Sequence, residues 1–296
     1  MNETVVAILR SATPLIYVTL AGVLAQRSGI WNLGLEGLMI AGACASVLGF
    51  LLTGSLALAL LLAVAVCVAM SVLLWVVIEK LKANPIIAGL GLTGLGLGGT
   101  DLAVQAIFNS QAAVSAPTGL PRLGEGFGAY SVLSILVLLM PFAVAGLWVL
   151  LCRTRFGLRL SACGEHPFAA RSVGTNPSRM RLIALAMGGI LCALGGTELA
   201  LGSLQIFAYN MTAGRGFMGF AAVIFGGGHP LGATASALFF SIVGALGIRA
   251  QLLFGDRIPN DLLLALPYLA TVVGVWISGY LRGSSATASS AELRDY

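Results

Sequence analysis

Charge is the first thing this chain of 296 residues lacks: Asp, Glu, Lys and Arg together make up 9% of it, where a globular surface implies about 25%. That is too little polar side chain to cover a water-facing protein of this mass, so a soluble globular fold is excluded. Lysine is nearly missing, with only Lys80 and Lys82. Neither follows a glycine, so there is no GxxxxGK[ST] loop to cradle a phosphate, and ATP hydrolysis on this chain is excluded. Histidine occurs twice, as His166 in a basic stretch and His229 in a glycine turn. HExxH spacing is therefore ruled out, and no catalytic residue, metal site or cofactor is assigned to the chain. The five cysteines, Cys44, Cys67, Cys152, Cys163 and Cys192, form no CxxC pair, which argues against both zinc and a disulfide framework. No basic tract is present to bind nucleic acid.

What fills the chain instead is apolar: 58% of residues are hydrophobic, with 39 glycines and a mean hydropathy of +0.98. A membrane-crossing helix needs about 20 such residues. Stretches of about that length fall at 5–26, 33–53, 56–78, 86–108, 129–151, 181–203, 231–250 and 260–281, and a ninth, at 216–228, is too short for a full crossing and fits a re-entrant segment. The expectation is an all-α polytopic membrane protein of about nine segments, with a membrane domain over 1–281 and a polar tail over 282–296. The first apolar run reads as a retained helix, not a cleaved leader.

Orientation follows from the cations. With the N-terminus outside, the inside segments carry Arg27, Lys80, Lys82, Arg153, Arg155, Arg159, Arg171, Arg179, Arg181, Arg282 and Arg294. Arg10, Arg122, Arg215, Arg249 and Arg257 fall outside, so the positive-inside rule selects this topology and places the tail in the cytoplasm.

The longest stretch between spans, 152–181, holds six arginines and one acid, Glu165. Within it, Pro167 stands where a helix begins and Gly174 where one ends, which predicts a helix of about two turns over 167–173. Such a helix is either a basic surface loop touching lipid phosphates or a rigid knob through which a cytoplasmic partner moves two spans at once.

Ionisable and polar groups inside spans are candidates for a solute path, because hydrocarbon penalises them. Asp101 and Glu198 fall in the outer half of their spans, at a level that Arg10 and Arg215 also reach, which suggests either ion pairs between helices or a substrate entry. Glu36 lies about one turn from the inner end of its span, within reach of interfacial water or Arg27. Asn32, Asn84 and Gln105 complete the pathway candidates. Gly94 and Gly98 stand at GxxxG spacing in a glycine-crowded span, which favours close helix packing. GIWNLGLEGLMIAG and GRGFMGFAAVIFGG echo each other in opposite direction, a weak inverted repeat of the kind that flanks midplane pathways.

The basic stretch TRFGLRLSACGEHPFAARSVGTNP resembles the cytoplasmic loop of ABC-transporter permeases of the nucleoside and simple-sugar import group. RSGIWNLGLEGLMIAGA, KANPIIAGL and GRGFMGFAAVIFGGGHPLGA resemble further segments of the same group, in the same order. The resemblance implies that Gly164, Glu165, His166, Pro167, Phe168, Ala169, Ala170, Arg171 and Gly174 form the coupling helix region that meets the ATPase. It also implies two permease subunits, ATPase subunits carrying ATP and Mg, an extracytoplasmic binding protein, and a place in the bacterial inner membrane. Ser161 and His166 depart from the pattern, standing where relatives often carry a basic residue and Asn. The expected function is a permease for a nucleoside or simple sugar. The alternatives are a branched-chain amino acid permease, an ion-coupled secondary transporter and a membrane-embedded enzyme.

Overall fold

The computed structural model describes residues 2–108, 113–122 and 133–254. Ten α-helices run through them: α1 (Asn2–Arg27), α2 (Leu35–Thr53), α3 (Leu56–Glu79), α4 (Pro85–Phe108), α5 (Ile135–Arg153), α6 (Arg155–Glu165), α7 (Pro167–Ser172), α8 (Pro177–Thr197), α9 (Arg215–Phe225) and α10 (Pro230–Phe254). Among the described residues, seven helices are long and apolar enough to cross a membrane, and α9 is a shorter apolar helix of 11 residues. This is an all-α multi-pass membrane fold. The stretch at 260–281 and the tail at 282–296 lie outside the described residues.

The core is built around α2. Its sequence is apolar on every side, and a helix of that kind is stable only when surrounded. Of its most apolar stretch 83% is buried, against 28% for each of α3, α4 and α5. α3, α8 and α4 pack against α2, and α1 packs on α8 and α9, while α3, α4 and α5 still turn most of their surface outward. Two apolar clusters hold the centre, one around Tyr17, Ile40, Val47 and Leu201, the other around Ile30, Leu38, Leu74 and Leu185. The Tyr17 hydroxyl, buried among them, donates to the Leu136 carbonyl at 2.9 Å.

α8 runs on as a π-helical turn, Glu198–Leu204, before the chain leaves the bundle. There a two-residue antiparallel ladder pairs β1 (Val114–Ser115) with β2 (Ile206–Phe207). The first seven residues of α10 after Pro230 and its continuation to Leu238 belong to the same compact unit as α1 to α9. A second unit starts at Phe239; in its described part the rings of Phe239 and Phe240 lie 5.7 Å apart.

The 152–181 stretch holds two helices where the Pro and Gly signals predict one. α6 is the unforeseen element. The Thr154 hydroxyl accepts from the Gly157 amide and caps its start, and a narrow stripe of Gly157, Leu160 and Cys163 is buried along it. Arg155, Arg159 and Glu165 lie away from that stripe, so the helix is amphipathic.

Candidate functional site

Three places in the structure gather the residues that the sequence singles out. The first is the basic end of the bundle, where α1 finishes. Pro167 opens α7, and Gly174, at φ 79°, ends it in the left-handed conformation that glycine adopts without strain. The helix stops at Ser172, one residue short of the expected end. Phe168 and Val173 are 83% and 80% exposed, whereas Ala170 is 3% exposed and is the residue seated against the protein. His166 and Glu165, just ahead of Pro167, are also exposed.

Two arginines fasten this region to the spans. Arg27, the last residue of α1, donates from Nε to the Gly228 carbonyl at 2.9 Å and from a terminal nitrogen to the Ser161 hydroxyl at 3.2 Å. One guanidinium thus joins α1, α6 and the glycine turn between α9 and α10. Arg181, in the first turns of α8, donates to the Ser28 carbonyl at 3.2 Å and forms an ion pair with Glu79 at the end of α3, 2.5 Å away. Gly164 lies directly on the backbone of Arg27 and Gly29, so a β-carbon there would strike the Arg27 carbonyl. α6 and the start of α8 are therefore bolted to α1 and α3, and α7 is held between them. Ser161 also acquires a reason: a cation at that position would face Arg27, whereas the hydroxyl accepts a hydrogen bond from it. Burial pushes the Cys163 thiol, on the inner side of α6, above its ordinary range, and Arg181 opposes that only in part.

The second place is the junction of α2, α4 and α9. α1 ends at Arg27, and α2 starts only at Leu35, after an unwound stretch that returns into the bundle. The Asn32 side chain accepts from the Gly34 amide at 2.8 Å and shapes the turn into α2. Glu36 is 2% exposed, and its carboxylate accepts from the Gly214 amide at 2.9 Å and the Gly216 amide at 2.5 Å. It is the counter-charge for the N-terminus of α9, where unpaired amides and the helix dipole favour an anion. Glycines make this approach possible. A β-carbon on Gly216 would overlap the backbone of Glu36, and one on Gly96 would sit 2.5 Å from the Gly37 carbonyl oxygen. Trp31 and Phe220 close the junction edge to face, with centroids 5.9 Å apart.

The junction is deep. Gly219 of α9 lies beside Val18 and Thr19 of α1, and Thr19 is eight residues, or about 12 Å, above the end of α1 at Arg27. A position one turn from the inner surface, with Arg27 as partner, is thus replaced by one nearer the middle of a bilayer about 30 Å thick. The reason is the unwound stretch 28–34, which carries the start of α2 inward. A half-length helix whose N-terminus meets a broken helix near mid-depth is the arrangement found at transporter pathways.

The third place is the opposite end. Glu198, 1% exposed at the start of the π-helical turn, accepts hydrogen bonds from the hydroxyls of Ser134 and Ser203. Arg10 donates to the Ser203 carbonyl, and Arg10, Ser203 and Arg215 line a cavity of about 290 Å³. Arg215 also donates to the carbonyls of Met211 and Thr212, both at 3.2 Å. Glu198, Arg10 and Arg215 are thus brought together.

Asp101 is not part of this group. It lies on α4 with Gln105, on the helix face that also carries Gly94 and Gly98, and a β-carbon at either glycine would meet nothing within 4 Å. Asn84 is exposed and caps α4 by accepting from the Ile86 amide at 2.9 Å. The sequence reading missed Ser134, Ser203, Ser161 and Arg181 as contributors. Each is one polar residue in an apolar or basic context, with no spacing signal of its own. Among the described residues no cluster of three His, Cys, Asp or Glu side chains is arranged to hold a metal ion.

Seven helices of membrane-crossing length among the described residues, a half-length helix anchored by a buried carboxylate, and a basic end braced by two arginines define a multi-pass membrane permease. A family model described as the branched-chain amino acid transport system / permease component matches residues 4–278, and the chain belongs to that family. The guanosine ABC transporter permease protein NupQ of Bacillus subtilis is 35% identical over 306 aligned positions, covering 97% of this chain and 94% of that protein. The nucleoside ABC transporter permease protein NupC of Lactococcus lactis is 33% identical, covering 88% and 87% respectively. A probable branched-chain amino acid transport permease protein of Methanocaldococcus jannaschii is 26% identical over 49% of this chain and 48% of its own length. No solved structure matches. The chain is an ABC transporter permease subunit, a transport component of the membrane.

Proposed function

We propose that this chain forms the translocation pathway of an ATP-driven importer in a bacterial cytoplasmic membrane, and that its solute is a nucleoside or, failing that, a simple sugar. The near full-length similarity to guanosine and nucleoside permeases supports the solute class. Coupling is carried by one observation: α7 and the residue after it present Phe168 and Val173 to solvent between α6 and α8, and those two helices are fastened to α1 and α3 through Arg27 and Arg181. An ATPase subunit holding ATP and Mg grips that knob from the cytoplasm. Its movement passes through Arg27 and Arg181 to α1, α3 and the α9–α10 turn, and so to the mid-depth junction at Glu36. An extracytoplasmic binding protein delivers solute at the end where Arg10, Glu198 and Arg215 lie. A second permease chain, identical or related, completes the pore, and the α4 face bearing Gly94, Gly98, Asp101 and Gln105 is open to it or to the solute.

The test is uptake by proteoliposomes that contain this chain with its co-purified ATPase and binding protein. ATP-dependent accumulation of labelled guanosine, competed by other nucleosides and not by leucine, is the expected result. Phe168→Asp, at an exposed site, should leave insertion intact and lower uptake per ATP hydrolysed by about tenfold, toward the lower end of the couplings measured between sites. Ala170 is unsuitable for this purpose, because a larger side chain there would displace α7 itself. Uphill accumulation by the isolated chain on an ion gradient alone would overturn the reading in favour of secondary transport, and competition by leucine would favour an amino acid.

A further inference from the structure

One further cavity adjoins the Arg181–Glu79 ion pair. It measures about 570 Å³ and opens at the basic end, between the turn from α3 to α4 and the connection from α7 to α8. Lys80, Lys82 and Arg171 line it. Its one carboxylate, Glu79, is already held by Arg181 at 2.5 Å. Three cations therefore face a cavity whose only anion is committed elsewhere. Thr175, Asn176 and Ser178 add polar lining. The backbone of Lys82 is in the left-handed region, at φ 57°, unusual for a residue with a long side chain. That reversal between α3 and α4 is what sets Lys80 and Lys82 on the same cavity.

The level of the cavity in the bilayer is given by the spans around it. The span Leu56–Glu79 ends in its wall and the span Pro177–Leu204 begins there. One turn further in, the Trp75 indole donates to the Ser178 carbonyl at 2.9 Å, and the Lys80 ammonium stands 5.9 Å from the Trp75 ring. Tryptophan at that position marks the interface between headgroups and acyl chains. Below it, α3 exposes Leu58, Leu61, Val72 and Leu73, an apolar wall along which acyl chains can lie. A basic pocket at the headgroup level, continuous with an apolar wall, has the chemistry to hold a phosphate that carries two lipid tails.

We propose that this cavity is a binding site for the phosphate headgroup of an anionic phospholipid, held by Lys80, Lys82 and Arg171. The site adjoins α7, so an occupying lipid braces the α7–α8 connection from the membrane side. The proposal rests on the membrane-spanning reading and on the orientation set by the cations, not on the identity of the solute.

The experiment uses the full chain purified in a neutral detergent, with thermal unfolding followed in phosphatidylglycerol, in phosphatidylcholine of the same acyl chains, and in inorganic phosphate. Phosphatidylglycerol at saturation should raise the unfolding temperature by about 4 °C, and phosphatidylcholine should not. The double variant Lys80→Gln/Lys82→Gln should lose most of that shift. Arg155→Gln/Arg159→Gln removes the same charge from the exposed side of α6 and should keep it. Native mass spectrometry of the same samples should show retained phosphatidylglycerol falling about fivefold in the first variant only, a readout that does not depend on its stability. Equal shifts with both lipids, or an undiminished shift in Lys80→Gln/Lys82→Gln, would overturn the proposal. A full shift from inorganic phosphate alone would assign a free anion instead of a lipid. If the variant kept its lipid but no longer co-purified with the ATPase, the cations would belong to a protein contact. None of these readouts involves transport, so the failure of the lipid site and the failure of the nucleoside reading are distinguishable.

Discussion

The two faces of α4 are both written in glycine, and they live in opposite surroundings. On one face Gly89 and Gly96 touch backbone, Gly89 against Leu33 and Gly34, Gly96 against Gly37. On the other face a β-carbon added to Gly91, Gly94 or Gly98 would meet nothing within 4 Å. The GxxxG pair that looks most like a packing motif is on the open side. Small residues permit close approach, but they do not say to what. In this chain the first face builds the junction with α2 and α9, and the second remains available to whatever adjoins the permease.

That contrast can be broken most sharply by adding one methyl group on each face. Gly96→Ala brings a β-carbon to 2.5 Å from the Gly37 carbonyl oxygen. Backbone cannot yield as a side chain does, so a loss of about 3 kcal/mol or failure to accumulate folded protein is expected. Gly98→Ala meets only open space, and its better helix propensity should leave stability unchanged or raised by up to about 1 kcal/mol. Unfolding midpoints of the two purified variants decide the matter; similar losses in both would mean that the outward face is packed too.

Removing the carboxylate that anchors the packed face is expected to do somewhat less. Glu36→Ala strands the buried amide of Gly216 and the half-buried amide of Gly214 and should cost about 1–3 kcal/mol in the same assay. Glu36→Gln keeps an acceptor and should cost less than the alanine variant. If the alanine variant were as stable as the parent, Glu36 would not be the anchor of α9.

A smaller effect concerns the bolts at the basic end. Ser161→Ala deletes one acceptor from Arg27, whose other bond to Gly228 remains, and a loss of about 0.5–1.5 kcal/mol is expected. Ser161→Lys sets two cations face to face and should cost more than the alanine. The reverse order would show that Arg27 turns away to solvent.

The mildest probe is thiol labelling, which perturbs nothing before it reads. Cys152 is exposed, while Cys44, Cys67 and Cys192 are buried, so a maleimide should modify Cys152 first and leave those three untouched in folded protein. Cys163 is buried as well, and its thiol is pushed above the ordinary range. Because the thiolate is the nucleophile, a raised pKa leaves less of it at neutral pH, and any reaction at Cys163 should speed up as pH rises. Prompt labelling of Cys163 at pH 7 would mean that α6 lifts off α1.

Much of the fold is legible without coordinates, because a bilayer imposes a length on every span and the chain must meet it locally. α2, α3 and α4 lie within a residue or two of their apolar stretches, and the short stretch at 216–228 forms the half-length α9. α7 is readable from Pro167 and Gly174, since both act on their own backbone. α6 is amphipathic, with Gly157, Leu160 and Cys163 on its buried side, but the Pro167 and Gly174 signals mark only the helix that follows it, and α6 carries neither at its ends. The candidate site was legible as residues and not as partners. Glu36 and Glu198 stand out as buried charges in apolar surroundings, yet nothing near either one names Gly216 or Ser134.

The amino-acid order by itself settled that this protein lives in a bilayer, crosses it many times and carries a basic elbow closed by Pro167 and Gly174. Those properties depend on composition and on neighbours a few residues apart. Only the tertiary structure decided that Glu36 neutralises α9 across 180 positions, that Arg27 joins α6 to the glycine turn, and that one glycine face of α4 is filled while the other stays open. Such contacts form between segments far apart in the chain, and the packing of whole helices, not any local preference, selects which of them meet.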